Sequence, residues 1–201
     1  MKIEKIPPGK GRPRAFDIDK ALDCALDLFR RQGYEGTSLS DLTEAMGINR
    51  PSLYAAFGNK EELFHKALER YTESAGTFLC ESMSQPTARA AVEQLLYGAT
   101  TIREGGCPQG CLLVKGALTG SEDSVTIQKE LTARRAANEA LLRARLERAL
   151  IEAELPADTN PADLARYFST VLHGLSIQAI GGASQEELTH VVEIALRAWP
   201  A

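Results

Sequence analysis

Three helix-start signals follow one another closely between residues 38 and 59. Each pairs a good capping residue with a residue suited to the first helical turn: Ser38 with Asp41, Asn49 with Pro51, and Asn59 with Glu62. The chain between these signals has room for only two short helices before a third begins. A helix of about two turns is not stable alone in water, so its neighbours must hold it in place.

The rest of the chain repeats the helical pattern. Apolar residues recur at helical spacing, as at Ile18, Leu22, Ala25 and Phe29. No stretch alternates apolar and polar residues as a half-buried strand would, and no Asn-Gly or Asp-Gly pair joins two strand-like runs. Breaks in the pattern fall at Pro86, at residues 105–110 and at residues 156–161. The sequence therefore predicts an all-α fold of about nine helices.

The composition is ordinary for a globular protein, with 44% hydrophobic and 25% charged residues in a chain of 201. No apolar run approaches the roughly 18 residues of a membrane span, and the first residues do not resemble a signal peptide. We therefore expect a cytoplasmic protein that does not associate with membranes. Four cysteines in such a chain do not indicate a disulfide framework.

Charge is unevenly distributed along the chain. The net charge is −4, yet residues 1–14 hold five basic residues and one acidic residue. A basic arm on an acidic body suits a local contact with phosphate groups. Charge alone leaves open the plainer interpretation of a solvated tail.

The second and third predicted helices, separated by a tight turn at residues 47–49, follow the plan of a helix-turn-helix. On the third helix, Leu53 and Phe57 share the inner face. The opposite face carries no acidic residue, and Arg50 stands at its N-terminal end, where free N–H groups also attract phosphate. Such a surface fits the floor of the DNA major groove. The pattern alone also allows an ordinary connection between two helices.

The block GYEGTSLSDLTEAMGINRPSLYAAFGNKEELF, at residues 33–64, closely resembles the DNA-binding domain of TetR-type transcriptional regulators. The resemblance implies an N-terminal three-helix helix-turn-helix domain and a C-terminal helical bundle for ligand binding and dimerisation. It further implies a homodimer on a palindromic double-stranded DNA operator, usually a repressor released by a small-molecule inducer, with no enzymatic activity and no cofactor. We place a basic arm at residues 1–15, the DNA-binding domain at 16–62 and the C-terminal domain at 63–201.

Roles for individual residues follow from the resemblance, position by position. The recognition helix contributes five residues: Arg50, Pro51, Ser52, Tyr54 and Ala55. Arg50 is expected to bind guanine O6 and N7, and the carbons of Ala55 or Pro51 to contact a thymine methyl group. Many relatives have a histidine where this chain has Ala56, so one phosphate contact is lost there.

Further contacts are expected with the DNA backbone. The Tyr54 hydroxyl and the Lys60 ammonium group match positions that hold phosphates. Thr37 and Ser38 open the second helix, where hydroxyl and N–H groups clamp the backbone. Basic residues of the arm are expected to reach into the adjacent minor groove: Lys10, Arg12 and Arg14.

The C-terminal domain is expected to hold a ligand cavity suited to an apolar or aromatic compound with few polar groups. The candidate lining residues are Phe78, Leu79, Leu96, Tyr97, Ile102, Leu113, Phe168, Leu172 and His173. Their spacing is equally typical of a plain hydrophobic core. In the family the last two helices form a four-helix dimer interface, which gives the candidate dimerisation residues Leu164, Phe168, Val171, Leu175, Leu188, Val192 and Leu196.

Cys107 and Cys111 lie four residues apart across a turn, in the pattern of a thiol switch or half of a metal site. A structural zinc site needs a second pair of ligands, so we predict no metal site. A redox-sensing regulator that uses these thiols is one alternative function. A helical adaptor or an enzyme using the C-terminal cavity are alternatives of other classes. An enzyme needs a convergent catalytic set, and none is evident. An adaptor has no need of Arg50, Tyr54 and Lys60 beside a basic arm.

Overall fold

The computed structural model describes residues 16–101, 111–115 and 124–200, which form nine α-helices and no strand. In chain order the helices are α1 (Ile18–Gln32), α2 (Leu39–Met46), α3 (Arg50–Phe57), α4 (Lys60–Met83), α5 (Ala88–Thr100), α6 (Leu112–Lys115), α7 (Val125–Ile151), α8 (Pro161–Ile180) and α9 (Gln185–Leu196). The predicted all-α fold is confirmed. Among the described helices, none has the length and apolar character needed to cross a membrane.

The three predicted helix starts are confirmed at α2, α3 and α4. Reciprocal side-chain and backbone hydrogen bonds open α2 and α4, between Ser38 and Asp41 and between Asn59 and Glu62. At α3 the Asn49 side chain accepts the N–H of Ser52 at 2.9 Å. The backbone and side-chain hydrogen bonds from Ser38 lower the pKa of Asp41, which keeps this capping carboxylate ionised at neutral pH.

The helices α1, α2 and α3 and the start of α4 pack around one set of buried side chains, which we call the N-terminal core. The helix α6 and the first turns of α7 also contribute to it. Its residues are Ala21, Ala25, Phe29, Leu42, Met46, Leu53, Phe57, Leu63, Phe64, Ala67, Leu68, Leu112, Leu113, Ile127 and Leu131. The Phe64 ring packs edge to face against both Phe29, at 5.0 Å between centroids, and Tyr34, at 5.1 Å.

The later turns of α4 and α7 pack with α5, α8 and α9 around a second set, the C-terminal core. Its residues are Leu79, Ala88, Val92, Leu95, Leu96, Leu142, Leu146, Ala149, Leu155, Ala165, Phe168, Leu175, Ala179, Leu188, Val192 and Leu196. The two cores share no buried residue. Each of the long helices α4 and α7 contributes to both.

Between the cores, α4 and α7 cross a stretch that we call the waist, residues 69–78 and 132–141. Every residue of the waist keeps part of its surface in contact with solvent. The buried side chains do not divide at residue 62, since α6 and the start of α7 pack with α1, α2 and α3. The domain boundary at that residue stays a prediction.

Candidate nucleic-acid interface

The helix α3 has only eight residues and is held along its inner face and at its start. Leu53 and Phe57 are 0% and 1% exposed in the N-terminal core, and the Phe16 ring lies 6.4 Å from that of Phe57. Asn49 caps the first turn. Burial and capping explain how so short a helix persists.

The C-terminal end of α3 is held by a residue that the sequence did not indicate. The Lys66 ammonium group of α4 donates to the carbonyl oxygen of Phe57 at 3.2 Å and lies 3.5 Å from that of Ala56. These carbonyls have no partner within a helix, and a cation is favourable at this end of the helix dipole. Lys66 therefore fixes the end of α3 to α4. No local sequence motif indicates this contact.

The outward face of α3 has the composition expected of a DNA-contacting surface. Arg50, Pro51, Tyr54 and Ala55 are exposed, with Tyr54 at 50%, whereas Ser52 is half-buried. The eight residues of α3 include no acid. The predicted orientation of the helix agrees with this geometry, while the base and phosphate contacts remain predictions.

Arg50 is held by a residue outside α3. Its Nη2 donates to the Ser40 hydroxyl of α2 at 2.8 Å. Both side chains are exposed, so the pair lies on the surface at the turn between α2 and α3. Ser40 is absent from the sequence-based predictions, because a contact between two helices leaves no local pattern.

Of the two hydroxyl groups predicted to contact phosphate at the start of α2, one is exposed and the other is buried. Thr37 is 1% exposed, and its hydroxyl donates to the Gly33 carbonyl oxygen at 2.6 Å. The predicted phosphate contact of the Thr37 hydroxyl is therefore corrected, because this side chain faces inward. Ser38 is exposed and accepts the Asp41 N–H, which leaves its hydroxyl proton for a phosphate.

The Lys60 side chain rests on an aromatic ring. Its ammonium nitrogen lies 4.3 Å from the centroid of the Tyr34 ring. Burial lowers the Lys60 pKa, with Glu35 opposing that effect. The Lys60 side chain keeps part of its surface exposed, and its contact with a phosphate stays a prediction.

Some predicted site residues lie outside the described part of the chain. They are the arm residues Lys10, Arg12 and Arg14, the ligand-lining candidate Ile102, and Cys107. Their predicted roles stay predictions.

The residues predicted to line a ligand cavity are divided between the two cores. Leu113 belongs to the N-terminal core, whereas Leu79, Leu96 and Phe168 are buried in the C-terminal core. Tyr97 is 39% exposed. The buried candidates therefore belong to the packed cores, and the sequence pattern does not distinguish lining residues from packed core.

The remaining candidates lie at the edge of the C-terminal core. Phe78 and Leu172 are half-buried against it. The Phe78 ring covers Gly98 of α5, where a Cβ atom would come within 2.2 Å of Phe78 Cζ. His173 is half-buried, and burial, followed by the nearby Arg135, lowers its pKa.

A groove of about 720 Å³ runs between α4 and α5. Its lining residues are Gly76, Thr77, Cys80, Glu81, Ser84, Gln85 and Gln94. None of the ligand-lining candidates that the structure describes borders this groove. A ligand cavity in the C-terminal core stays a prediction.

The predicted dimerisation residues lie in or beside the core of their own subunit. Five are buried in the C-terminal core, Phe168, Leu175, Leu188, Val192 and Leu196, and two are partly buried against it, Leu164 and Val171. Large apolar residues with exposed surface occupy other positions of the same helices: Tyr167, Ile177, Val191 and Ile194. The part that the seven residues play in a dimer stays a prediction.

Cys111 lies beside the waist. Its sulfur accepts a hydrogen bond from the Tyr71 hydroxyl at 3.2 Å, and the Arg30 guanidinium lies 5.5 Å from the Tyr71 ring centroid. Burial and the neighbouring Cys111 raise the Tyr71 pKa, so the phenol keeps its proton. Across the described residues, no three histidine, cysteine or acidic side chains are grouped to bind a metal ion.

Comparison with known proteins identifies the family. Residues 21–67 match the model of bacterial regulatory proteins of the tetR family. The Escherichia coli (strain K12) HTH-type transcriptional repressor ComR is 36% identical over 200 residues, covering 97% of this chain and 94% of ComR. The chain belongs to the TetR family of transcriptional regulators.

Other members of the TetR family extend the comparison to both ends of the fold. The E. coli (strain K12) repressor BdcR is 29% identical over 191 residues, which cover 93% of this chain and 89% of BdcR. A cysteine mutant of the TetR-family regulator CifR, solved with 26-base-pair double-strand operator DNA, is 46% identical and has a TM-score of 0.88. That match covers 94% of this chain and all of the CifR chain, so the likeness includes the C-terminal helices as well as the helix-turn-helix.

Proposed function

We propose that this TetR-family chain is a cytoplasmic, homodimeric repressor that binds a palindromic operator through α3 of each subunit. The observation that carries the proposal is the outward face of α3, where Arg50 and Tyr54 are exposed on a helix without acidic residues. ComR and BdcR, both named repressors, and the CifR complex with operator DNA support it. Ser38, Lys60 and the basic arm at residues 1–15 would add backbone and minor-groove contacts.

The homodimer is proposed to form through the exposed faces of α8 and α9. Ile177 is 41% exposed, Val191 45% and Ile194 63%. Large apolar side chains are costly to leave in water, and pairing two copies of these helices would bury them. This surface adjoins the partly buried residues Leu164 and Val171 of the set that the family resemblance implies.

Release from the operator is proposed to follow binding of a small apolar or aromatic ligand to the C-terminal domain. The supporting observation is that α4 and α7 contribute side chains to both cores. A change in packing around the C-terminal core would tilt these helices and, through α4, shift α3. Lys66 would transmit such a shift, since it ties α4 to the end of α3.

A second candidate input is the Cys111 thiol, with Cys107 as its partner. The observation that favours it is the hydrogen bond from the Tyr71 hydroxyl to the Cys111 sulfur. Cys111 directly precedes α6, which contacts α1, α7 and α8. Oxidation or alkylation of this thiol would disturb the hydrogen bond and the packing of α6. Exposure to a mild oxidant during operator binding tests this candidate, with Cys111→Ser as the insensitive control.

The proposal is tested by selecting binding sites from random DNA with the purified protein. Recovery of an inverted repeat with two equivalent half-sites is the expected result. Failure to enrich any sequence over a range of salt concentrations would reject sequence-specific binding. The selected site then serves as the operator in every later measurement.

Two variants distinguish the recognition of bases from the binding of the DNA backbone. Arg50→Ala should cost about 1–3 kcal/mol and relax the preference at one position of each half-site. Lys60→Ala should weaken binding to all sequences similarly and reduce the dependence on salt. An Arg50→Ala protein with unchanged preference would show that Arg50 does not read a base.

A further inference from the structure

Ser40 makes a contact that the proposed function does not explain. It lies in α2, and its hydroxyl accepts a hydrogen bond from Arg50 Nη2 at 2.8 Å. Within the described residues, this is the one hydrogen bond that the Arg50 guanidinium forms, and no carboxylate forms an ion pair with it. Among the described residues, the side chain that holds Arg50 is thus a neutral one.

A neutral partner suits an arginine that is to bind DNA. An exposed arginine without a partner samples many rotamers, and ordering it on binding costs entropy. A carboxylate would order the side chain but would compete with DNA for the guanidinium. Of the two acids of α2, Asp41 is committed to the Ser38 cap, and among the described residues neither Asp41 nor Glu44 forms an ion pair with Arg50. A serine hydroxyl orders the side chain and leaves its full positive charge.

The contact with Ser40 also leaves enough donors for base recognition. A guanidinium has five N–H groups, and the Ser40 bond uses one of them. Guanine accepts two hydrogen bonds, at O6 and N7, when arginine reads it in the major groove. The same guanidinium can therefore contact Ser40 and a base together.

We infer that Ser40 is a positioning residue that holds Arg50 for base readout and so sets sequence preference. The inference rests on the proposed function, because it requires Arg50 to contact a base. It differs from a direct role for Ser40, in which the hydroxyl would contact a phosphate and strengthen binding to any sequence. The two roles give different results when Arg50 is absent.

The experiment compares S40A, R50A and the S40A/R50A double variant of the full chain. Affinities are measured for the selected operator, for an operator changed at the base pair on which R50A loses its preference, and for unrelated DNA. S40T keeps a hydroxyl at this position and serves as the conservative variant. T43A removes a hydroxyl from the same helix, one that donates to the Ser40 carbonyl and does not touch Arg50.

We expect S40A to lower discrimination between the two operators by about two- to ten-fold, the range that a typical hydrogen bond contributes in water. S40T should restore most of that discrimination, and T43A should leave it unchanged. Binding of S40A to unrelated DNA should match wild type. S40A should have no further effect in the R50A background, since its role acts through Arg50.

Three outcomes would overturn the inference. Equal loss of affinity for all DNA, persisting in the R50A background, would assign Ser40 to a phosphate. If R50A loses discrimination between the operators but S40A keeps it, the hydrogen bond from Arg50 to Ser40 does not order Arg50. Unchanged discrimination in R50A would remove the basis for a positioning role. In each case, recovery of an inverted repeat by the wild-type protein decides the proposed function independently.

Thermal unfolding of S40A should match wild type, because this side chain is exposed.

Discussion

The N-terminal core and the C-terminal core hold their helices by different means. In the N-terminal region, α2 and α3 have eight residues each, and each begins at a side-chain cap and buries two large apolar side chains. In the C-terminal region, α7 and α8 have 27 and 20 residues and pack along much of their length. The first region thus depends on local signals, and the second on contacts between distant parts of the chain.

A buried ion pair in the C-terminal region shows the same reliance on distant contacts. Arg145 is 4% exposed, and its Nη2 donates to Glu154 at 3.1 Å and lies 3.5 Å from the carbonyl oxygens of Gln85 and Pro86. Glu154 also accepts the N–H of Ala88 at the start of α5. One arginine therefore joins the end of α7 to the connection between α4 and α5. Such a pair fixes geometry more than it adds stability.

Loss of one central ring from either core should have the largest effect. Phe64→Ala and Phe168→Ala each remove a ring with 0% exposure and should each cost about 3–5 kcal/mol of unfolding free energy. Because α4 and α7 enter both cores, urea unfolding should show one shared transition with a lower midpoint in each variant. Ile151→Ala is the control, since this side chain is 85% exposed. Two separate transitions would mean that the cores unfold independently.

Loss of the ion pair between Arg145 and Glu154 should have the second-largest effect on stability. Glu154→Gln should cost about 1.5–3 kcal/mol at neutral pH, because the Arg145 guanidinium loses a charged partner. Burial acts to raise the Glu154 pKa, but the Ala88 N–H and Arg145 outweigh it, so the pKa is lowered. A lowered folded-state pKa contributes stability above the unfolded value of 4.5, and that contribution is lost as pH falls through the folded value.

The difference in unfolding free energy between wild type and Glu154→Gln should therefore shrink as the pH falls from about 7 to about 3. The matched control is Glu147→Gln, which alters a half-exposed ion pair with Arg143 on the same helix. That control should change stability by less than about 1 kcal/mol. A difference for Glu154→Gln that stays constant with pH would show that its carboxylate charge is not what Arg145 requires.

The contrast between the two regions explains what the sequence could predict. Ser38, Asn49 and Asn59 act within three residues of their own position, so the starts of α2, α3 and α4 were correctly predicted. The same capping bond explains the error at Thr37. With Ser38 as the cap, the preceding residue turns inward and bonds Gly33.

Contacts between helices were not predictable in this way. Lys66 reaches Phe57 and Arg50 reaches Ser40 across turns whose geometry the sequence does not give. The dimerisation set shows the same limit. A helix such as α9 has a buried stripe and an exposed apolar residue, Ile194, side by side. Periodicity identifies the stripe but not which surface covers it.

Loss of the Lys66 contact should have a smaller effect, confined to the N-terminal region. Lys66→Met should weaken operator binding by about two- to five-fold, as expected for a cation at a helix C-terminus. The dependence of affinity on salt should keep its slope, because Lys66 is proposed to hold α3 and not a phosphate. Lys129→Met, which removes an exposed charge from α7, is the control. A shallower salt dependence in Lys66→Met would instead assign Lys66 to the DNA backbone.

The smallest effect is expected where the two regions meet. Glu130 of α7 lies 2.8 Å from His65 Nδ1 of α4 and 2.6 Å from Arg134 Nη2, and Arg134 Nη1 donates to Thr72 of α4 at 2.8 Å. These side chains are partly exposed, so Glu130→Gln should cost only about 0.5–1 kcal/mol in low salt and less in high salt. Urea unfolding measures the loss against Glu69→Gln, an exposed position on α4.

A loss for Glu130→Gln above that control, and removed by salt, would show that charge helps to hold α7 on α4. A loss no greater than that of the control would show that apolar side chains, Ile127 and Leu131, bind α7 to the N-terminal core. The second result would show that the start of α7 is held by burial. Glu130 and its partners would then add little to the apolar contacts there.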